Sequence, residues 1–120
     1  MEQTLSSKKF DLEERTARFG EGVINLCKKI QLNPITSPLV SQLVRSGTSV
    51  GANYSEADDA ESKRDFRHKI GISKKEARES VHFLRMLTVA TPDLKTHIMP
   101  LLQEAKELNL ILNAIYRKVK

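Results

Sequence analysis

Residues 45–57 read R-S-G-T-S-V-G-A-N-Y-S-E-A, and residues 65–85 read D-F-R-H-K-I-G-I-S-K-K-E-A-R-E-S-V-H-F-L-R. Both stretches carry a helical period. Around the first, Val40, Leu43, Gly47, Val50, Tyr54 and Ala57 recur at alternating spacings of three and four. At about 100° per residue this gathers them on one helix face. Around the second, Phe66, Ile70, Ser73, Ala77, Ser80, Leu84 and Leu87 do the same. The first seam is built from small residues. Gly47 and Gly51 each cost about 1 kcal/mol against alanine inside a helix, and that cost predicts close approach by a neighbouring helix.

Working outward, the same spacing appears in Leu12, Thr16, Phe19, Val23, Leu26 and Ile30, and again in Leu94, Ile98, Leu101, Ala105, Leu108, Leu112, Ile115 and Val119. Four helices follow, over 11–32, 38–60, 63–90 and 93–119. Asn33-Pro34 ends the first, because proline lacks an amide donor and disfavours helix in the residue before it. Ser37-Pro38 predicts the second start, with serine as N-cap and proline in the first helical position. Ser62 followed by Asp65 predicts the third, and Thr91-Pro92 separates the third from the fourth. Pro100 predicts a kink, or a break near residue 99. No segment alternates with a strand period. Four helices with short connections predict an all-α, antiparallel up-down-up-down four-helix bundle as one domain over 1–120.

The chain has 120 residues, 39% hydrophobic and 29% charged, with five glycines and four prolines. That is enough to bury a core without disulfides or metal. The single cysteine, Cys27, has no intrachain partner and lies among apolar neighbours, which predicts a buried thiol in a reducing compartment. No apolar run approaches the roughly 20 residues of a membrane span, so the expected location is the cytoplasm. The net charge of +5 is unevenly placed. Residues 1–60 hold seven Lys and Arg against eight Asp and Glu; residues 61–120 hold thirteen against seven.

Much of that excess lies on the third helix. Arg67, His68, Lys74, Lys75, Arg78, His82 and Arg85 all project within roughly 80° of Arg64 around its axis, far from its apolar seam. A stripe of this kind suits a phosphate backbone, with Arg64, Arg67, Lys74, Lys75, Arg78 and Arg85 as the contacts. The same charges also serve as an ordinary solvated face, and no aromatic stacking platform accompanies them. Tyr54 and Tyr116 occupy core positions.

On the second helix Ser46, Ser49, Asn53 and Glu56 form a polar line beside the seam. Buried polar groups need partners, so Asn53 and Glu56 are expected to bond neighbouring helices; a small ligand or anion is the other reading. Ile72, Phe83 and Met86 lie off the apolar centre of the third helix. Clustered apolar residues outside a core mark partner surfaces, which predicts self-association through Ile72 and Phe83. Scattered surface hydrophobes on a monomer read the same way.

Catalytic and metal patterns are sparse. A di-metal carboxylate bundle needs two Glu-x-x-His pairs and two further inward glutamates, whereas this chain has one pair, Glu79 and His82. No phosphate-binding glycine loop, Cys-x-x-Cys or His-Glu-x-x-His occurs. The expectation is a protein that is not an enzyme and needs no cofactor, metal or small-molecule substrate.

The run Ser46-Gly47-Thr48-Ser49-Val50-Gly51-Ala52-Asn53-Tyr54-x-Glu56-Ala57 resembles the bacterial four-helix bundle proteins encoded by intervening sequences of large-subunit ribosomal RNA genes, the S23-like family. Ser62-x-x-Asp65-Phe66, Lys75-Glu76-Ala77-x-Glu79 and Glu107-Leu108-x-x-Ile111-Leu112 extend the likeness over nearly the whole chain. The resemblance implies a small up-down bundle without enzymatic activity, with Asn53 and Glu56 as signature positions. It also implies kinship with retroelement accessory proteins that form pentameric rings and bind nucleic acid. Residues and resemblance together predict a homo-oligomer, a pentamer by the resemblance, with RNA or DNA as the anionic partner. The rival reading is a structural or protein-interaction module.

Overall fold

The computed structural model describes the backbone of residues 2–120 and the side chains of residues 12–120. Four long helices make up the chain: α1 (Glu2–Cys27), α2 (Thr36–Asp58), α3 (Lys63–Ala90) and α4 (Lys95–Lys118), with a 3₁₀ turn at Pro92–Leu94. Cross-helix pairs run in opposite numerical order on every interface. Thr16 faces Gly51 and Val23 faces Gly47; Glu56 reaches Lys69 and Ser46 meets Ser80; Arg67 meets Tyr116 and Lys74 meets Asn113. Arg15 reaches Glu104, while Gly22 faces Leu101. Each helix is therefore antiparallel to both neighbours, and the up-down-up-down bundle is the observed fold.

The apolar seams meet in one core. The five seam positions of α1 from Leu12 to Leu26 are buried, as is Ile30 just beyond it, and in α3 every one from Ile70 to Leu87 is buried. Between α1 and α2 the helices touch through glycine. A Cβ on Gly47 would stand 2.8 Å from Cγ2 of Val23, and one on Gly51 would stand 3.3 Å from the Thr16 carbonyl. No glycine among the described residues has a positive φ. What Gly47 and Gly51 supply is the absence of a side chain.

Four sequence expectations are corrected. The first helix ends at Cys27, not residue 32, because Lys29 and Ile30 donate to the carbonyls of Leu26 and Cys27 in a tighter three-residue pattern. Ile30 stays buried beyond the helix end, which is why the apolar period overran it. Ser37 is not the cap of the second helix. Asn33 Oδ1 accepts from the amides of Ile35 and Thr36 at 2.8 and 2.9 Å, and the Thr36 hydroxyl donates to the Gln31 carbonyl at 2.8 Å. A side chain three residues upstream thus opens α2. No break follows Met99: α4 runs through Pro100, in its second turn. Thr96 and Pro100 are both exposed, so water can replace the missing bond. Fourth, Leu102 rather than Leu101 holds the deeper position on α4. Ser62 caps α3 as expected, its Oγ accepting from Asp65 N at 3.0 Å.

Candidate nucleic-acid interface

The glutamates of α3 and α4 are turned away from the groove between these two helices. On α3, Glu76 and Glu79 point to α2, where Arg45 binds both, Glu76 at 3.0 Å. The two carboxylates hold the Arg45 guanidinium above its ordinary pKa, through hydrogen bonds first and Coulomb attraction second. Lys69 turns the same way and pairs with Glu56 at 2.7 Å; that bond raises the Lys69 pKa. On α4, Glu104 and Glu107 point to α1, where Arg15 binds them at 2.8 and 3.3 Å. Opposite charges are consumed on the two outer flanks, and the α3/α4 seam keeps its cations.

Arg64, Lys75, Arg78 and Arg85 are exposed and make no ion pair among the described residues. Arg67 and Lys74 differ from them. Arg67 donates from Nε to the Val119 carbonyl at 2.7 Å and from Nη1 to the Tyr116 hydroxyl at 2.9 Å, with its guanidinium carbon 3.7 Å from the Tyr116 ring centroid. Lys74 donates to Asn113 Oδ1 at 3.2 Å and lies 4.8 Å from the same centroid. Both hold α4 against α3. The stripe seen in sequence thus divides into four outward cations and two that fasten the groove.

The fourth helix contributes a share that the sequence reading missed. Lys106, Asn109, Asn113 and Tyr116 recur at spacings of three and four, a polar line on the side of α4 facing α3, and Lys120 continues the spacing just past the helix end. Asn109 donates to the Lys74 carbonyl at 2.8 Å. Arg78 and Lys106 flank a groove of about 360 Å³ with Leu110, Val81 and Asn109. At the other end Lys63, Arg64, Arg67, His68, Tyr116 and Lys120 line a second hollow of about 410 Å³. The signal was readable: it is the same three-four spacing, carried by polar rather than apolar residues.

Asn53 and Glu56 separate in role. The amide of Asn53 donates to Ser49 O in its own helix at 2.9 Å, so the expected bond from Asn53 to a neighbouring helix is not made; Glu56 does reach across, to Lys69. Asn53 turns inward on its own backbone because serines fill the polar role between α2 and α3. Ser73 donates to the Val50 carbonyl at 2.7 Å, and buried Ser80 donates to buried Ser46 at 3.0 Å. Ile72 and Phe83 are half-buried, and Phe83 packs on the core with its ring edge-on to His82. The more exposed apolar residues lie elsewhere, with Ile35 at 67% and Val89 at 79%. They flank a hollow that also involves Leu39 and Met86.

Glu79 and His82, the one Glu-x-x-His pair, are engaged separately, Glu79 by Arg45 and His82 against Phe83. Among the described residues no three His, Cys, Asp or Glu side chains gather as metal ligands, and no helix is long and apolar enough to cross a membrane.

The family model of the 23S rRNA-intervening sequence protein matches residues 8–114. Among solved structures, the chain is similar to a protein of unknown function from the S23 ribosomal protein family of Bacteroides thetaiotaomicron VPI-5482. The two are 29% identical with a TM-score of 0.76, covering 88% of this chain and 97% of the other. Neither description carries an enzymatic activity. No curated protein matches.

Proposed function

The chain belongs to the 23S rRNA-intervening sequence protein family, and from that premise we propose that it binds nucleic acid, RNA first, along the α3/α4 seam without catalysing a reaction. The observation that supports this reading is the sorting of charge: Glu76, Glu79, Glu104 and Glu107 are each paired on outer flanks, away from the seam. Arg64, Lys75, Arg78 and Arg85 contact phosphates, joined by Lys106, while Arg67 and Lys74 fix the groove that presents them. Contacts to phosphate position a strand but do not read its bases. A seam that offers cations and no stacked aromatic face suits a helical, backbone-presenting RNA.

Fluorescence anisotropy with a structured RNA and a DNA duplex across a salt series tests the reading. Affinity should fall steeply with salt. In K75E/R78E it should drop, with the log–log salt slope shallower by about 2, one per lost phosphate contact. Absence of binding at low salt, or binding indifferent to K75E/R78E, removes the nucleic-acid function and leaves an interaction module.

Self-association is the second reading, supported by exposed Ile35 and Val89 beside half-buried Leu39 and Met86, with Ile72 and Phe83 further along α3. The resemblance suggests a closed ring of five, and cyclic closure prevents open-ended growth. Light scattering decides it: a mass near the 13.6 kDa of one chain would rule out the ring. The cytoplasm is the compartment we infer, in keeping with one unpaired thiol.

A further inference from the structure

We propose that the hollow between the first turns of α3 and the last turn of α4 holds a phosphate monoester, the terminal phosphate of a nucleic-acid strand lying along the seam. The strand as its source rests on the nucleic-acid reading above; the site itself rests on its own residues.

Lys63, Arg64, Arg67, His68, Tyr116 and Lys120 line this hollow, and no Asp or Glu side chain does. The nearest acidic residue in the α3 sequence, Asp65, acts on Lys69, which turns toward α2. The wall therefore offers donors. Arg67 is fixed before any ligand arrives, its Nε on Val119 O and its Nη1 on Tyr116 Oη. A guanidinium carries five N–H donors in a planar fork, so its Nη2 edge is left over. The Tyr116 hydroxyl accepts from Arg67, which leaves its own proton to donate. The carbonyl at the end of α4 that would repel an anion is occupied by Arg67.

An acceptor-only group of high charge density matches this set. A monoester carries about −1.5 to −2 near neutral pH, against a single charge on a diester. Cations converging on one concavity favour the former, whereas those spaced along the seam, Lys75, Arg78 and Arg85, suit successive diesters. Position agrees with chemistry, because the hollow lies where α3 begins and the basic stripe stops.

Anisotropy with the full chain and one RNA oligonucleotide in three forms, 5′-phosphorylated, 3′-phosphorylated and hydroxyl-ended, tests the proposal. One phosphorylated form should bind tighter than the hydroxyl form by about fivefold or more, the effect of one added charge-assisted contact. K63Q/R64Q should abolish that advantage. K75E/R78E should weaken all three forms while preserving the ratio between them. Equal binding of all three forms overturns the pocket and leaves the nucleic-acid reading standing. If no oligonucleotide binds, the nucleic-acid reading fails and ring NMR signals of Tyr116 and His68 decide. Shifts with uridine 5′-monophosphate and none with uridine retain the site for a free monoester, and no shift with either overturns it.

Discussion

Arg67 of α3 lies over the ring of Tyr116 of α4, its guanidinium carbon 3.7 Å from the ring centroid and its Nη1 bonded to the hydroxyl at 2.9 Å. Gly71 is what lets the ring come so close: a Cβ there would stand 3.0 Å from Tyr116 Cε1. One turn of α3 thus supplies the cation and the next removes a side chain, so that a residue of α4 is clasped between them. Lys74, one turn beyond Gly71, adds a second cation to the clasp, 4.8 Å from the centroid.

Replacing Arg67 should therefore lower stability as well as any affinity for anions. Its bonds are charge-assisted, worth about 1.5–3 kcal/mol in half-buried settings, with roughly 0.5–1 kcal/mol from the ring contact. R67K keeps the charge but loses the planar fork, and should cost about 1–2 kcal/mol. Arg64→Lys, at an exposed position on the same stripe, should change stability by less than about 0.5 kcal/mol. Urea unfolding followed by circular dichroism separates them. Equal midpoints for R67K and R64K would refute the fastening role.

The glycines of the α1/α2 contact make opposite predictions at two neighbouring sites. A Cβ on Gly47 would meet three atoms of Val23 between 2.8 and 3.2 Å, and a β-branched valine has little freedom to turn aside. Overpacking costs about 1–3 kcal/mol against the roughly 1 kcal/mol that alanine gains in a helix, so G47A should destabilise or at best break even. A Cβ on Gly20 would find its nearest neighbour, Thr48 Cα, at 3.5 Å, ordinary contact. G20A should stabilise by up to about 1 kcal/mol. Thermal unfolding of both variants checks the sign of each.

How far the sequence could be read follows from which features have a period. The apolar seams repeat at three and four residues, so they disclosed four helices, the core and the tight glycine face. Helix ends have no period. Asn33 caps α2 through a side chain two to three residues away, and Ile30 stays buried in a turn, so neither boundary follows from spacing. For the site, the azimuth of the cations on α3 was legible, but their partners were not. Arg67, Lys74 and Arg78 lie on one stripe, and only the position of α4 decides that the first two are fastened and the third is free. Lys106 and Lys120 were missed because polar periodicity on α4 was overshadowed by its apolar seam.

Cys27 provides a pH-dependent prediction whose sign is fixed by burial. The thiol is half-buried rather than fully buried as the sequence predicts, and its packing at the end of α1 against the core pushes it up from 9.0 to about 11 by desolvation. The folded protein thus retains the proton in a range where the unfolded chain has lost it. Stability from this group is fully present below pH 9, and it declines as pH rises from 9 through about 11. The C27A variant should lack that decline, since it has no thiol to ionise, although lysine and tyrosine ionisation will add a common background. Subtracting the two urea-midpoint profiles between pH 8 and pH 11 isolates the effect. In the same range a thiol-reactive disulfide reagent should label the native chain far more slowly than the urea-unfolded chain, because the thiolate is the reacting species. Superimposable profiles, together with native labelling as fast as unfolded labelling, would mean that Cys27 is not desolvated by its packing against the core.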